Sequence, residues 1–337
     1  MRRSNQLKYA LGIVVIAATA MSGERAFAQT PDPNSAPNPY RLEENWAKLP
    51  DGRKFGQVIA VETDRDGKSI WAFDRCGGTS CSKSNLAPIM KFDPSGKFVT
   101  SFGAGMFNFP HGLAVDREGN IWATDERAKN GKGGVALKFS PDGKVLMTLG
   151  KPGTPGDEEG LLDGPSDIVV AANGDIYIAD GHGGTTNDRI VKFSKDGKFI
   201  KAWAKHGKAQ GALDTPHGIA LDSAGRVYVA DRANSRIQIF DPDGKFIAEW
   251  KQFGRPSSVA IDKNGIIYVA DTQSNEQNNK GFQQGIRIGS ISDGKVTAFI
   301  PVPSEAIGTP EGITVDDQGI IYGGYTAKMN LRRFVKN

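Results

Sequence analysis

The amino-acid sequence predicts an all-β protein, a six-bladed β-propeller, because two kinds of turn and one aromatic position recur along it. The first turn recurs at Gly67, Gly119, Gly174, Gly225, Gly265 and Gly319. The second turn, each time followed by lysine, recurs at Gly96, Gly143, Gly197, Gly244 and Gly294. The aromatic position lies in the strand after the first turn, at Trp71, Trp122, Tyr177, Tyr228, Tyr268 and Tyr322. Turns rich in Asp, Asn and Gly favour β-hairpins. Four strands in each repeat of roughly 40–55 residues are typical of a propeller.

The repeat is clearest at 216–250, where two turns and a loop separate four short strands. We expect these strands at Gly218–Leu221, Arg226–Ala230, Arg236–Phe240 and Lys245–Trp250. The last repeat stops after its third strand. We therefore expect residues near 41–48, which resemble the fourth strand of other repeats, to pair into the last blade and close the ring.

The composition supports one buried core in an ordered chain. The 337 residues are 38% hydrophobic and include 42 glycines and two cysteines. The hydrophobic content excludes a disordered chain, and two cysteines are too few to staple a chain of this length without a core. The glycines show no collagen period, and there is no helical period of the kind that a helical solenoid requires.

The N-terminus predicts export from the cytoplasm. Basic residues within 2–8 precede an apolar stretch at 9–21, and the small-x-small pattern of a signal peptidase site follows at Ala26–Ala28. Residues 1–28 are therefore predicted to be a cleaved signal peptide, and the protein to be periplasmic or secreted. The apolar stretch is too short to span a bilayer.

We divide the remaining chain into a flexible linker at 29–40, rich in Pro and Asn, and a propeller at 41–337. The formal charge of +4 falls to +1 without residues 1–28, which carry four Lys or Arg and one Glu. A charge this small gives no indication of a nucleic-acid partner.

One position of each blade, just before its first strand, should face the central channel. These six residues are Gln57, His111, Ser166, His217, Ser257 and Glu311. His111, His217 and Glu311 come from alternate blades, so they can converge on the axis. Two histidines, one glutamate and an open position are typical of catalytic zinc, although another divalent metal would also fit. The alternative is a position that is simply polar in such repeats.

A second ring follows the second strand of each blade. It comprises Arg75, Glu126, Gly181, Arg232, Thr272 and Thr326. Arg75 and Arg232 should face each other and bind a carboxylate on a small-molecule or peptide substrate, unless they form surface ion pairs. His182, the next residue after Gly181, could be a general base, a fourth metal ligand or a loop histidine bonded to backbone.

Cys76 and Cys81 are expected to form a local disulfide, as cysteine pairs do in exported proteins. The bond would brace the loop that directly follows Arg75.

The repeats resemble NHL repeats. The segments that carry the resemblance are Pro-His-Gly-Leu-Ala-Val-Asp at 110–116, Pro-His-Gly-Ile-Ala-Leu-Asp at 216–222 and Ala-Asp-Arg-Ala-Asn-Ser-Arg-Ile-Gln at 230–238. Over about residues 40–337, the chain resembles the peptidyl-α-hydroxyglycine α-amidating lyase (peptidylamidoglycolate lyase) family of six-bladed propellers.

The resemblance implies roles for particular residues. In that family three histidines hold zinc in the channel, and His111 and His217 match the first two. Arg75 and Arg232 match its active-site arginines. Glu311 stands where the third histidine is expected, and His182 stands where the family has an active-site tyrosine.

The function implied is that of an exported, metal-dependent carbon–nitrogen lyase that cleaves a carbinolamide into an amide and glyoxylate, with His182 accepting a proton. One alternative is a non-catalytic NHL propeller whose loops at 76–87, 128–134 and 273–285 bind a protein or carbohydrate partner. Another is a metal-dependent hydrolase or lactonase, against which the histidine-containing ring argues.

Overall fold

The computed structural model of the protein describes Met1 and residues 32–182, 187–302 and 308–337. Apart from Met1, the predicted signal peptide lies outside the described residues. Within the described part of the chain, no helix has the length and hydropathy needed to cross a membrane.

Residues Pro33–Asn337 form one compact unit of six antiparallel four-stranded sheets. The first two blades contain β2 (Val58–Thr63), β3 (Ile70–Asp74), β4 (Ile89–Phe92), β5 (Phe98–Phe102), β6 (Pro110–Val115), β7 (Ile121–Asp125), β8 (Val135–Phe139) and β9 (Val145–Gly150). The next two contain β10 (Pro165–Val170), β11 (Ile176–Asp180), β12 (Arg189–Phe193), β13 (Phe199–Trp203), β14 (Pro216–Leu221), β15 (Val227–Asp231), β16 (Arg236–Phe240) and β17 (Phe246–Trp250). The last two contain β18 (Pro256–Ile261), β19 (Ile266–Asp271), β20 (Gly285–Ser290), β21 (Val296–Pro301), β22 (Gly312–Val315), β23 (Ile321–Tyr325), β24 (Asn330–Lys336) and the N-terminal β1 (Tyr40–Glu43). The predicted all-β, six-bladed propeller is confirmed.

The first turn of a blade is stabilised by an aspartate side chain and a glycine. In blade four, Asp222 Oδ1 accepts hydrogen bonds from the backbone N–H groups of Ala224 and Arg226, both at 2.9 Å. Gly225 supplies the left-handed conformation, with φ of 78°, which a residue with a side chain rarely adopts. Turn and strand are therefore fixed by neighbouring residues of the sequence.

The recurring aromatic residue joins this turn to the core between blades. Tyr228 donates its hydroxyl to Asp222 Oδ2 at 3.2 Å, and Trp122 donates Nε1–H to Asp116 Oδ2 at 3.2 Å. Both rings are buried, and Trp122 of blade two packs in one cluster with Ile168 of blade three. The hydrophobic core is thus a ring of interfaces between neighbouring blades.

The ring closes as predicted. The last sheet has the order β1, β24, β23, β22, so the N-terminal strand supplies its outer edge. In this pairing Leu42 lies opposite Phe334, and Tyr40 is buried among residues of blades five and six. The strand begins one residue before the predicted propeller boundary.

The part of the predicted 29–40 linker that lies closest to the propeller makes hydrogen bonds to blade five. The Asn34 side chain donates to the carbonyl of Gly281 at 2.9 Å and accepts from the N–H of Gln283 at 2.8 Å. The N–H of Phe299, in the outer strand of blade five, donates to the carbonyl of Pro37 at 3.0 Å. The segment is bound because it satisfies polar groups at an edge that would otherwise face water.

We predict that β1 is required for stability and not only for shape. A chain that begins at Asn45 loses the burial of Tyr40, worth about 2–3 kcal/mol, and exposes the edge of β24. Its melting temperature should fall by about 5–10 °C, and it should aggregate more readily.

The matched control begins at Tyr40, which keeps β1 and removes only the preceding segment. Melting followed by circular dichroism and light scattering checks the prediction. Equal melting temperatures for the two chains would contradict it.

Candidate metal centre and carboxylate site

The inner strands of the six blades surround a cavity of about 200 Å³ whose lining includes His111, His217 and Glu311. His111 is the second residue of β6, and His217 is the second residue of β14. The pairing of each strand with its neighbour shifts register at this point, between Pro110 and Leu113 in the first case. Such a bulge re-aims a side chain, here at the channel.

Each histidine is held by the backbone of the next blade. His111 Nδ1 lies 2.6 Å from the carbonyl oxygen of Ser166, and His217 Nδ1 lies 2.6 Å from that of Ser257. Because a carbonyl only accepts, Nδ1 carries the proton and donates in both residues. The Nε2 lone pairs are therefore free, as in metal-ligating histidines.

Both histidines are buried and neutral. Burial, the neighbouring His182 and Arg75 hold the pKa of His111 well below its usual range. Burial and the charge of Arg232 do the same to the pKa of His217. The neutral imidazole is the form that binds a metal.

The structure brings His182 to this pair. Ring nitrogens of His111, His182 and His217 all lie within 4.8 Å of one another. The loop that carries His182 is pinned by the carbonyl of Gly164, which accepts from the N–H groups of Gly181 and His182. Its ring centroid lies 4.6 Å from that of His111 and 5.0 Å from that of His217.

Glu311 lies at the edge of this group. Its Oε1 is 3.3 Å from His217 Nε2 and 3.3 Å from Arg232 Nη1. It is not among the three residues whose ligand atoms are mutually close. The third position of the predicted metal site is therefore approached by two side chains, one from blade three and one from blade six.

Glu126 also belongs to the site, although the sequence analysis assigned it no role. Its side chain is 3% exposed, its Oε1 lies 3.0 Å from His182 Nδ1, and its Oε2 lies 3.8 Å from His111 Nε2. Among the described residues neither Oε2 nor His182 Nδ1 has a hydrogen-bond partner, so the 3.0 Å approach is close but out of line. The sequence feature that could have identified Glu126 is its place in the second ring, where it is the one carboxylate and the other blades have Arg, Gly or Thr.

The two predicted arginines are buried and close to the histidines. Arg75 donates Nε–H to the carbonyl of Pro110 at 3.1 Å and Nη1–H to Gln57 Oε1 at 2.7 Å. Arg232 donates from Nη1 to Glu311 Oε1 and places Nη2 3.0 Å from His182 Nε2. Burial lowers the pKa of Arg75 to about 10, against the opposing effect of Glu126 and Glu311.

A second arginine, Arg127, shares an aromatic ring with Arg75. The guanidinium carbons of Arg75 and Arg127 lie 3.6 Å and 3.5 Å from the centroid of Phe109. The Arg127 side chain is 60% exposed, whereas Arg75 is buried. The sequence did not predict this stack, because only Arg75 belongs to one of the two rings of channel positions, and Phe109 and Arg127 lie beside them.

Cys76 and Cys81 form the expected disulfide. The loop that they close is tied to blade two, since the N–H of Cys81 donates to the carbonyl of Asn108 at 2.9 Å. The backbone on the C-terminal side of Arg75 is thereby fixed.

The residues fit a divalent metal. The His111 lone pair faces Glu126 Oε2, and the His217 lone pair faces Glu311 Oε1, so in each contact one acceptor faces another. Such contacts are unfavourable unless a proton or a cation lies between the two atoms, and the histidines resist protonation. Imidazole and carboxylate donors are those that zinc prefers.

Sequence comparisons relate the chain to several known proteins. Residues 213–240 match the sequence profile described as NHL repeat. Peptidyl-alpha-hydroxyglycine alpha-amidating lyase 2 of Drosophila melanogaster is 32% identical over 236 residues, which are 64% of this chain and 55% of that protein. NHL repeat-containing protein 3 of Homo sapiens is 32% identical over 200 residues, 58% of this chain and 54% of that protein.

The peptidyl-glycine alpha-amidating monooxygenase B of Xenopus laevis is 32% identical over 305 residues, 80% of this chain and 33% of that protein. The chain thus spans about half the length of the first two relatives and a third of this one. Among solved structures, a gluconolactonase from Xanthomonas campestris superposes with a TM-score of 0.59 at 18% identity, covering 90% of this chain and 97% of its own. That likeness is one of fold.

Two further carboxyl groups line the channel beyond the histidines. Glu62 lies in β2 and Asp167 in β10. Burial, with the charge of Asp167, raises the pKa of Glu62 to about 8, and burial raises the pKa of Asp167 to about 7. In the unfolded chain, the pKa of glutamate is about 4.3.

We predict a stability effect of Glu62 that depends on pH. A carboxyl whose pKa is raised by folding stabilises the native state fully below the unfolded pKa, and this contribution is lost as pH rises through the folded pKa. Glu62→Gln mimics the protonated form. Its free energy of unfolding should therefore match the wild type near pH 4 and exceed it increasingly up to about pH 8.

Denaturant unfolding of the metal-free protein at several pH values measures this difference. Glu118→Gln, at an exposed position, is the control and should show a small difference that does not grow with pH. A constant difference for Glu62→Gln would show that its carboxyl titrates normally.

Proposed function

Because the chain is a propeller of NHL-type repeats that resembles the peptidyl-α-hydroxyglycine α-amidating lyases, we propose that it is a metal-dependent carbon–nitrogen lyase. Its substrate would be a carbinolamide that carries a carboxylate, and its products an amide and glyoxylate. The observation that carries the proposal is the grouping of Arg75 and Arg232, both buried, around His111 and His217 in one channel.

The arginines provide the binding energy for the carboxylate. Among the described residues, no acceptor lies within hydrogen-bond distance of Arg75 Nη2. Within the described part of the chain, Arg232 contacts one carboxylate, that of Glu311, at 3.3 Å. Two buried guanidinium groups without a full set of acceptors favour an anionic ligand, because burying a charge without partners is costly.

His111 and His217 would hold the metal, which we propose to be zinc. When bound, the metal supplies a positive charge that polarises the substrate hydroxyl and lowers its pKa. The neighbouring carbonyls of Ser166 and Ser257 keep the Nε2 atoms of the two histidines directed at the channel.

The reaction needs one proton acceptor and no co-reactant. The hydroxyl gives its proton to a side chain, the carbon–oxygen bond becomes the carbonyl of glyoxylate, and the electron pair of the broken carbon–nitrogen bond goes to nitrogen, which takes up a proton. Two side chains of the site can accept the first proton: His182, which the sequence suggested, and Glu311. Both lie beside Arg232.

We also propose that the protein acts in the periplasm or outside the cell. The disulfide between Cys76 and Cys81 is stable in such a compartment. The basic and apolar composition of residues 1–28 supports the same location.

The proposal predicts that each arginine contributes to turnover of α-hydroxyhippurate. Arg75→Met and Arg232→Met should each lower kcat/KM by about 10²–10³, the effect of removing one preorganised donor from a developing charge. The measurement is glyoxylate release by the metal-loaded protein. Arg117→Met, at an exposed position, should leave the rate unchanged.

The same assay separates the alternatives. A wild-type protein that binds metal but releases no glyoxylate would contradict the proposed activity. Turnover in a lactone panel would favour a hydrolase, and partner binding that survives loss of His111 and His217 would favour a non-catalytic propeller. Metal analysis of His217→Ala, which should lose bound metal, tests the metal itself.

A further inference from the structure

We infer that the third histidine of the metal centre is His182 and that Glu126 is the residue that positions it. The inference rests on the metal proposed above and goes beyond it, because the sequence placed Glu311 in the ligand set and gave Glu126 no role. In this arrangement His182 is a metal ligand instead of the proton acceptor, and Glu311 is the proton acceptor instead of a metal ligand.

The first step is the state of the His182 ring. Arg232 Nη2 lies 3.0 Å from His182 Nε2. A guanidinium only donates, so Nε2 carries a lone pair and the ring proton is on Nδ1. Nδ1 in turn lies 3.0 Å from Glu126 Oε1, which can only accept when ionised.

The three histidines therefore follow one rule. The Nδ1 atoms of His111 and His217 each donate to a carbonyl oxygen at 2.6 Å, and the Nδ1 of His182 has a carboxylate oxygen at 3.0 Å. In His111 and His217 the Nε2 lone pair is left for the channel, and in His182 it accepts from Arg232, which an ion bound there would displace. A carboxylate behind the distal nitrogen is a common support of metal-bound histidine.

The second step is distance. Nitrogens that share one tetrahedral zinc lie about 3.3 Å apart, because each bond is about 2.0–2.1 Å long. The three rings already have nitrogens within 4.8 Å of one another, so shifts of about an ångström would bring them onto one ion.

The third step is the surroundings of Glu126. Its buried carboxylate lies 3.4 Å from Arg127 Nε through Oε1. Among the described residues Oε2 has no hydrogen-bond partner, and it lies 3.8 Å from His111 Nε2. A cation beside His111 stabilises this oxygen as well as the three nitrogens.

Glu311 is less suited to the third position. Its ligand atom is outside the close group of nitrogens, whereas those of His182 and the other two histidines are mutually close. Three neutral imidazoles also leave the ion its full positive charge, whereas a carboxylate ligand would weaken its effect on the substrate hydroxyl.

The test is metal affinity, measured by dialysis against a competing chelator followed by elemental analysis, with the visible spectrum of the Co²⁺-loaded protein as a second readout. His182→Ala should lose at least 100-fold in affinity. Glu126→Gln should lose about 10–100-fold, the usual effect of removing such a support, and Glu126→Asp should recover part of it. Glu311→Gln should retain metal within a few-fold.

Glu62→Gln is the matched control, since it removes a carboxyl of the same channel away from the histidines. Melting temperatures of the metal-free variants separate a fold defect from a ligand defect. The inference is overturned if Glu311→Gln loses metal as His217→Ala does while His182→Ala keeps it, or if the wild type binds no metal. Metal bound as expected without glyoxylate release would leave the inference standing and overturn only the proposed activity.

Discussion

The bond between each channel histidine and the backbone of the next blade is the interaction on which the site depends. His111 is held by Ser166 of blade three, and His217 by Ser257 of blade five, so neither ring is oriented by its own blade. The close approach requires glycine after each histidine. A Cβ on Gly112 would lie 2.5 Å from Asp167 Cα, and one on Gly218 would lie 2.9 Å from the Ser257 carbonyl oxygen. Closure of the ring by β1 therefore maintains the positions of these histidines as well as the sheets.

The electrostatics of the channel explain why these side chains suit a ligand. Glu126 and Glu311 approach the lone pairs of His111 and His217, so acceptors face acceptors. Among the described residues, Arg75 and Arg232 lack acceptors for some of their N–H groups. Both arrangements are unfavourable in the protein alone, because buried polar atoms normally have hydrogen-bond partners. A cation satisfies the first pair and an anion satisfies the second. A metal and a carboxylate in adjacent positions therefore complete one network of charges.

The sequence predicted most of the fold and part of the site. Turn glycines and buried aromatics such as Trp122 follow local rules, so the blades and ring closure could be predicted from short segments. For the residues that face the channel, the sequence predicted to which of the two rings each belongs, but not which other side chain each one contacts. Glu126 and His182 come from different blades, and their contact depends on how the Gly164 loop turns. The bonds between the predicted 29–40 linker and blade five could not be predicted, because they join residues about 250 positions apart.

Moving a ligand from blade six to blade three changes the chemistry available to the site. With His182 on the metal, the side chain left beside Arg232 is Glu311, whose carboxylate is held by that arginine at 3.3 Å. A carboxylate is ordinarily a weaker base than an imidazole. Proton transfer to it is favourable only if the substrate hydroxyl is strongly acidified. The metal must therefore retain its charge, which three neutral imidazoles allow, and the two substitutions relative to the resembling family compensate for each other.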